Sequence, residues 1–305
     1  MTKVSVVIPV FNRQEKTARA VASVLAQDVA ELEVVVVDDG SETPFTLAEA
    51  DDRVRIIRHP ENRGAAAARN TAIREAAGEW LAFLDSDDVW LPGKLARQLD
   101  FAEADAAGNG ARPPACYATG FVLGNPATGK RRRLIPIESG SASDFAAACW
   151  FCPGSTMLMH RDTARAIGPI DTTLPRLEDL DWFLRFGLIG GRLKVAPFIG
   201  ADIEVGHKPD PAKLEIAAAA LRRKWLAPGR GERLPAGAGR KLAAYLQLEQ
   251  ASARLAAGHY AGFAWHLVRS ILLAPRARLH LRPWWRESRP GLSLDPSIRR
   301  DRFRR

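Results

Sequence analysis

The sequence has few cysteines and no long apolar run, and both shortages exclude whole classes of protein. Three cysteines cannot build the disulfide framework of a small secreted domain, which predicts a reducing compartment such as the cytoplasm. No stretch reaches the ~20 apolar residues of a membrane span, and the nearest candidate, residues 261–275, contains His266 and Arg269. The apolar run near residue 4 is interrupted by Pro9 and lacks a small-residue cleavage site, so we expect no signal peptide.

Glycine is missing from the first strand–helix turn, which reads PVFNR at residues 9–13. A dinucleotide-binding turn needs several glycines there, so a nucleotide-cofactor oxidoreductase of that kind is excluded. Cys149 and Cys152 have the C-x-x-C spacing, but no second pair or ligating histidine completes a zinc site. The sequence therefore favours buried structural thiols.

Charge is abundant but uneven. The net charge is +9, and the last thirty positions hold ten arginines against three acidic residues, together with Trp284 and Trp285. Such a basic segment indicates a polyanionic partner. We expect no nucleic acid, because the charge forms a tail and no recognition motif accompanies it. Peripheral contact with an anionic membrane surface and a solvated basic tail both stay open.

Hydrophobic patterns predict strands that alternate with helices. Buried strands are predicted at 3–10, 34–37, 54–58 and 80–84, with helices from residue 13 onward and over 65–77. Asn12 and Glu15 resemble a capping box, and Gly78 suits the left-handed position that ends the second helix. The alternation predicts a mostly parallel α/β layer whose polar strand ends share one edge.

Later segments are less regular. We predict a helix at 94–107, a hairpin of 115–123 and 130–137, a short helix within 141–150, a strand at 155–159, a helix at 178–188, strands within 193–205, and helices at 213–225, 240–257 and 259–273. The amino-acid composition becomes rich in alanine and leucine after residue 210. We therefore place a boundary there, between a domain of residues 1–210 and an extension of residues 211–305.

The fourth predicted strand runs into the acidic turn of Asp85, Ser86, Asp87 and Asp88. In an extended segment Asp85 and Asp87 share a side, so their carboxylates repel each other unless a cation lies between them. Hard oxygen ligands favour Mg²⁺ or Mn²⁺, usually shared with substrate phosphates. The alternative is a solvated turn that begins a helix, with Pro92 in its first turn. Asp88 suits a helix cap better than a ligand.

Other charged residues follow the neighbouring strands. Asp39 comes after the second strand and Arg63 after the third, so both are expected at the edge that carries Asp85 and Asp87. Phosphates need cations, a metal needs carboxylates, and a nucleobase needs an acceptor for its N–H. The set suits a nucleotide with a diphosphate.

Several stretches in this order resemble glycosyltransferase family 2, which has the GT-A fold. They are VSVVIPVFNR (4–13), VVVVDDGS (34–41), NRGAAAARN (62–70), GEWLAFLDSDD (78–88), GSTMLMHRDTARAIGPID (154–171) and LEDLDWFLRF (177–186). The resemblance implies a Rossmann-like, mostly parallel sheet with flanking helices. It also implies a nucleotide-sugar-binding half at 1–125 and an acceptor half at 126–210. The helical extension predicted after residue 210 lies outside the resemblance.

The resemblance implies roles for residues near the nucleotide. Asp39 would bind the base, typically uracil, through its imide N–H, and Pro9 and Phe11 would wall the base pocket. Arg69 would face the nucleotide or Asp85. The alternatives are that Asp39 only caps its loop, that Phe11 belongs to the core, and that Arg69 makes a surface salt bridge.

A metal site is implied beside the nucleotide. Asp87 would be the main ligand of Mg²⁺ or Mn²⁺ and Asp85 its companion near the ribose, with Ser86 and Arg63 in the donor-binding set. His207 would complete the metal or diphosphate site, and its alternative is a surface histidine.

The family's acidic pair matches Glu178 and Asp179. Asp179 would be the general base and Glu178 a neighbour that orients the acceptor, whereas Asp181 lies off that face. The alternative is that both acids only complement the helix dipole. The backbone of Gly154 and Ser155 would line the acceptor cleft.

The implied reaction is inverting, metal-assisted single displacement. The donor would be a nucleotide-diphosphate sugar, expected to be a UDP-sugar. The acceptor would be a glycan or lipid-linked hydroxyl in the synthesis of surface polysaccharide or lipopolysaccharide. The rival interpretation is a non-catalytic nucleotide-sugar- or glycan-binding module on the same fold. The two intact acidic sets favour the enzyme.

Overall fold

The computed structural model describes residues 3–107, 114–125, 128–147, 152–204, 210–227, 234–275 and 286–287. Its first half holds four parallel strands, ordered β3-β2-β1-β4: β1 Val4–Val10, β2 Leu32–Asp38, β3 Val54–Arg58 and β4 Trp80–Phe83. The helices α1 Gln14–Leu25 and α2 Ala65–Glu75 cover opposite faces, since their apolar side chains belong to different core clusters. All seven residues of β1 are therefore buried.

The second half adds antiparallel strands. Its elements are β5 Val89–Trp90, α3 Lys94–Ala107, β6 Ala115–Gly124, β7 Arg131–Ile135, α4 Ala142–Phe145, a 3₁₀ turn Gly154–Thr156, β8 Leu158–His160, α5 Arg161–Ile167, α6 Glu178–Leu188 and β9 Arg192–Glu204. β8 pairs antiparallel with β4 and β6, whereas β9 runs parallel to β6 and antiparallel to β5. The predicted α/β fold with flanking helices is confirmed, and its parallel pairing gives way to mixed pairing beyond β4.

In the described part of the C-terminal extension there are three helices: α7 Pro211–Trp225, α8 Ala238–Ala256 and α9 Tyr260–Leu273. A two-residue strand, β10 Arg286–Glu287, pairs antiparallel with β7. Leu221 and Leu242 of the extension lie in the same apolar cluster as Leu180 and Phe183 of α6. The extension thus shares a core with the sheet, and the boundary near residue 210 stays a prediction. No helix among the described residues is long and apolar enough to cross a membrane.

Two local predictions are wrong. Asn12 does not cap α1: it has a φ of 53°, its Oδ1 accepts a hydrogen bond from Glu42 N at 2.9 Å, and Arg13 occupies the N-cap position. Gly78 is not left-handed, and α2 already ends at Glu75, with Ala76 in the C-cap position. Gly78 is required instead because a Cβ there would lie 2.7 Å from the backbone nitrogen of Ser5 in the adjacent strand.

Short elements account for the other differences. The strand predicted at 155–159 begins as the 3₁₀ turn and becomes β8 only at Leu158. α5 and the two-residue β5 are not predicted from the sequence, because they are too short for a clear hydrophobic period. Of the helix predicted within 141–150, α4 is observed, and residues 148–150 lie outside the described residues.

Candidate active site

The loops that follow β1, β2 and β3 are tied together at one edge of the sheet. Asn12 N donates to Ser41 Oγ at 2.9 Å. Gly40 has a φ of +74°, and a Cβ there would lie 2.5 Å from the carbonyl carbon of Glu61. Only glycine therefore allows these loops to approach so closely. The contacts hold the strand ends at fixed positions around the edge.

Asp39 is buried at this edge and binds the start of α2. Its two oxygens accept from Arg63 N at 3.1 Å, Oδ2 accepts from Gly64 N at 2.7 Å, and His59 Nδ1 lies 2.6 Å from Oδ1. A helix N-terminus favours a negative charge in this position. Asp39 therefore holds the loop after β3, and its contact with a base stays a prediction.

A cavity of about 420 Å³, which we call the strand-edge cavity, opens beside Asp39. It is lined by Pro9, Val10, Phe11, Arg13, Asp39, Asn62, Ala65, Ala68, Arg69, Asp85, Ser86 and Asp87. Phe11 is 43% exposed, so it is not a core residue and its ring can wall the cavity. Arg63, which was predicted to bind the donor, does not line this cavity where the structure describes it. Its side chain is exposed. The volume suits a small-molecule site.

Each of the two carboxylates after β4 contacts an arginine. Arg69 Nη2 lies 2.6 Å from Asp85 Oδ1, and Arg13 Nη1 lies 2.9 Å from Asp87 Oδ2. Burial lowers the pKa of the Arg69 guanidinium, but the charges of Asp85 and Glu178 outweigh that effect and raise it above its ordinary value. Arg69 is therefore a fixed positive charge between acids.

Asp88 does not cap a helix, contrary to the sequence prediction. α3 begins only at Lys94, and Asp88 is buried. Its Oδ2 accepts from Ser155 Oγ, its Oδ1 accepts from Glu204 N at 3.2 Å, and Ser155 Oγ accepts from Asp85 N at 3.0 Å. Burial raises the pKa of Asp88 to about 8, and the charge of Asp85 acts in the same direction. Asp88 thus joins the acidic turn to the 3₁₀ turn and to the end of β9.

A second cavity of about 480 Å³, the α6 cavity, lies on the other side of the same acids. It is lined by Arg69, Phe83, Asp85, Asp87, Asp88, Phe121, Leu123, Cys152, Pro153, Gly154, Met157, Ile170, Glu178, Asp179, Trp182, Phe183, Ile203 and Glu204. Arg69, Asp85 and Asp87 line both cavities. Gly154 lines the α6 cavity, as predicted for the acceptor cleft, whereas Ser155 is fully buried.

Glu178 and Asp179 begin α6 and line its cavity. Leu177 before them has a φ of 61°, which is uncommon for a residue other than glycine. Glu178 Oε1 lies 3.4 Å from Arg69 Nη1. Asp179 opens onto the cavity but is closely surrounded by protein atoms, and this desolvation raises its pKa to about 6. The charge of Glu178 also raises it, and that of Arg69 opposes it.

Asp181, two residues further along α6, contacts the C-terminal extension instead. Its Oδ1 lies 2.8 Å from Lys224 Nζ and accepts from Trp225 Nε1 at 2.9 Å, and its Oδ2 lies 3.1 Å from Arg185 Nε. It is fully buried. Asp181 therefore fastens α7 to α6, which agrees with its being the poorer catalytic candidate.

The donor atoms at the shared wall suit Mg²⁺ or Mn²⁺. Asp85 and Asp87 present carboxylates to both cavities, and such ions are usually held by one or two carboxylates together with substrate phosphates. Across the described ranges, no group of three or more histidine, cysteine or acidic residues forms a complete metal site. His207 lies outside those ranges. The pair fits an ion that is shared with a substrate.

Three contributions to the site were missed from the sequence. Arg13, which pairs with Asp87, could have been found from its place in the same loop as Phe11. Nothing in the sequence indicates that the Ser155 hydroxyl and the Trp182 ring belong to the site, since only the fold brings them next to β4. The two described cysteines, Cys116 and Cys152, are free and buried, whereas Cys149 lies outside the described residues.

Comparisons with known proteins agree with this arrangement. The model of the family described as "Glycosyl transferase family 2" matches residues 5–168, more than half of the chain. A UDP-Glc:alpha-D-GlcNAc-diphosphoundecaprenol beta-1,3-glucosyltransferase of Escherichia coli, WfgD, is 40% identical over 99 residues, or 32% of this chain and 39% of its own. The succinoglycan biosynthesis protein ExoO of Rhizobium meliloti is 45% identical over 108 residues, which are 34% of this chain and 30% of ExoO. The chain thus spans less than half the length of these relatives.

Solved structures show the same fold. A crystal structure of S. aureus TarS, residues 1–349 with UDP, has a TM-score of 0.57 at 16% identity and covers 90% of this chain and 81% of its own. The same protein with UDP-GlcNAc gives a TM-score of 0.57. At this identity the likeness is one of fold.

Proposed function

The chain belongs to glycosyl transferase family 2, and from this premise we propose that it moves a sugar from a nucleotide-diphosphate sugar to the hydroxyl of a glycan or lipid-linked acceptor. The observation that carries the proposal is the meeting of the two cavities at Arg69, Asp85 and Asp87. A donor in the strand-edge cavity and an acceptor in the α6 cavity would bring their reacting atoms to this shared wall. Much of the rate would come from that alignment.

The donor is proposed to be a UDP-sugar. WfgD is named for a UDP-glucose donor, and TarS was crystallised with UDP and with UDP-GlcNAc. In the strand-edge cavity Pro9 and Phe11 would enclose the uracil, and Asp39 would accept its imide N–H. The ribose would lie near Asp85 and Ser86.

The diphosphate needs positive charge as it leaves. Asp87 and Asp85 would hold Mg²⁺ or Mn²⁺, with His207 completing the site. When bound, the ion supplies charge that stabilises the leaving diphosphate. Arg13, which contacts Asp87, lies close enough to add to this charge.

The acceptor would be activated from α6. Asp179 would take the proton of the acceptor hydroxyl while its oxygen attacks the anomeric carbon and the bond to the diphosphate breaks, so that configuration inverts. A pKa of about 6 keeps Asp179 ionised at neutral pH and basic enough for this step. Glu178 would orient the acceptor and hold Arg69. The sugar would pass through an oxocarbenium-like state.

The acceptor class is proposed from the relatives. WfgD is named for a diphosphoundecaprenol-linked acceptor, and ExoO for succinoglycan synthesis. We therefore propose a role in the synthesis of surface polysaccharide or lipopolysaccharide.

The test is a screen of nucleotide-sugars for nucleotide release with Mn²⁺, with Mg²⁺ and with a chelator. We expect release from a UDP-sugar that the chelator abolishes. Asp87→Asn should lower release by about a hundredfold or more, whereas Asp162→Asn, a carboxylate with 73% side-chain exposure on α5, should match the wild type. Binding of a UDP-sugar without turnover of any would indicate the non-catalytic module, and near-normal release by Asp87→Asn would refute the metal role.

A further inference from the structure

The outer face of α9 is apolar and exposed. Large exposed apolar side chains cluster on this one helix: Tyr260 71%, Trp265 60%, Val268 53%, Ile271 42%, Leu272 74% and Leu273 36%. Tyr260, Ala264, Val268 and Leu272 recur every four residues, which places them on one side of the helix. The result is a continuous apolar stripe, and soluble monomers rarely expose large contiguous patches of this kind.

The inner face of α9 is held by polar contacts to α8. Ser270, the one buried residue of the helix, donates from its hydroxyl to the carbonyl of Ala244 at 2.7 Å. His266 Nδ1 lies 2.8 Å from Gln247 Oε1. α9 is thus attached to the protein with its apolar stripe outward.

The stripe belongs to a basic part of the sequence. Residues 260–275 contain no acidic residue, and residues 276–305 add a net charge of +7 from ten arginines and three acids. Burial lowers the pKa of His266, and the charges of Arg254, Arg222 and Arg269 lower it further. Arg269 lies over the Trp265 ring, 5.4 Å from its centroid.

The corner between α8 and α9 extends the basic rim. A cavity of about 550 Å³ there is lined by Arg254, Gly258, His259, Tyr260, Ala261, Gly262 and His266. It opens at the N-terminal end of the apolar stripe. Arg254 Nη2 lies 3.3 Å from Glu215 Oε2, so an anionic group in front of this corner would share Arg254 with that carboxylate and would meet two histidines beside an apolar ring.

These observations distinguish between three partners for the face. A helix of 14 residues is about 21 Å long and cannot cross a hydrocarbon core of about 30 Å. A second copy related by twofold symmetry would cover the stripe with the same helix, but residues 260–275 of that copy contain no acidic residue to pair with Arg269. An anionic lipid surface satisfies both the apolar stripe and the basic rim, as in helices that lie within the membrane interface.

We propose that α9 lies in the plane of an anionic lipid bilayer, with Trp265, Val268 and Leu272 inserted and Arg254 and Arg269 near the phosphate headgroups. The basic segment after residue 275 adds electrostatic attraction. This inference does not depend on sugar transfer, because it is measured as binding.

Vesicle flotation of the full chain tests it. Vesicles of phosphatidylcholine with phosphatidylglycerol should carry the protein at low salt, and pure phosphatidylcholine vesicles should bind at least about tenfold less. High salt should weaken the binding, because it screens the headgroup charge. Equal binding to both vesicle types, or none to either, would overturn the proposal.

Variants separate α9 from the basic segment. Val268→Glu with Leu272→Glu should lower flotation at least about tenfold, because two charges enter the apolar stripe. The matched control is Ile56→Glu with Ile189→Glu, which are 39% and 38% exposed on other elements and should float like the wild type. Thermal unfolding and UDP binding identify any variant that fails to fold.

Two results of this experiment would contradict the role of α9. If the α9 variant floats like the wild type, the basic segment alone binds the lipid. If light scattering shows a dimer that the α9 variant converts to a monomer, the stripe is an interface between copies of this chain.

Discussion

The two cavities that meet at Arg69, Asp85 and Asp87 are built in different ways. The strand-edge cavity is lined by the end of β1, by loop residues that follow the four parallel strands, and by Ala65, Ala68 and Arg69 of α2. The α6 cavity combines Phe121 of β6 and Trp182 of α6 with residues of β4 and β9, and much of its wall is apolar. All residues of the first cavity lie within positions 9–87, whereas the second also needs residues as far along the chain as Glu204.

Under the proposed function, the strand-edge cavity would bind the nucleotide, which is the same in many reactions. The α6 cavity would bind the acceptor, which varies, with four side chains of α6 and others from several elements. Substitutions confined to one cavity should therefore affect one substrate and not the other.

The largest effect is expected from Asp179→Asn. The substitution removes the proposed general base while keeping the shape of the side chain, so the rate of sugar transfer should fall about a thousandfold. The affinity for the UDP-sugar, measured by calorimetry, should change by less than about twofold. Lost donor binding would show that the α6 cavity is not separate from the donor site.

Asp181→Ala should instead destabilise the protein. Removing this buried carboxylate leaves the Trp225 N–H without its acceptor. It also takes one of two carboxylates from Lys224, which keeps Asp171, and the carboxylate from Arg185, which keeps the carbonyls of Ile167 and Pro169. The expected cost is about 2–3 kcal/mol in the free energy of unfolding. Urea denaturation measures the change. Asp179→Asn, two residues away, is the matched variant and should unfold almost like the wild type. A loss below about 1 kcal/mol would contradict the structural role of Asp181.

The pH dependence of transfer should follow Asp179. Its pKa is raised to about 6, and the base must be ionised, so kcat/KM should fall about tenfold between pH 7 and pH 5. Stopped or continuous assays of nucleotide release across this range measure the profile. A wild-type profile that stays flat to pH 5 would argue against Asp179 as the base.

The smallest effects on substrate binding are expected from apolar side chains that line the two cavities. Phe11→Ala removes an exposed ring that would stack on the base, so the Kd of the UDP-sugar should rise about fivefold. Leu123→Ala, the matched change in the α6 cavity, should alter only the KM of the acceptor. Equal effects of both variants on donor binding would mean that the two cavities act as one.

Much of the fold could be predicted, because long periodic segments carry a strong signal. β3, α3 and α6 have the predicted bounds of 54–58, 94–107 and 178–188. The caps could not be predicted in the same way. Asn12 accepts a hydrogen bond from the loop after β2, and Gly78 has to be glycine because β1 passes too close for a Cβ atom. Neither neighbour is visible in the local sequence.

The candidate site shows the same division. The edge that carries Asp39, Asp85 and Asp87 follows from the ends of consecutive parallel strands. The burial of Asp88 does not, because Ser155 and Glu204, its hydrogen-bond partners, come from elements far along the chain. The pattern of the acidic turn therefore predicts its position but not the use of each carboxylate.

By itself the sequence determined the alternation of strands and helices in the first half of the chain, the acidic turn at the edge of the sheet and the family of the chain. The tertiary structure decided what surrounds each acid of α6. Asp179 and Asp181 have the same chemistry and lie on one helix, yet Asp179 opens onto a cavity and Asp181 is enclosed by Lys224 and Trp225 of α7. The physical reason is that desolvation and ion pairing depend on neighbours in space.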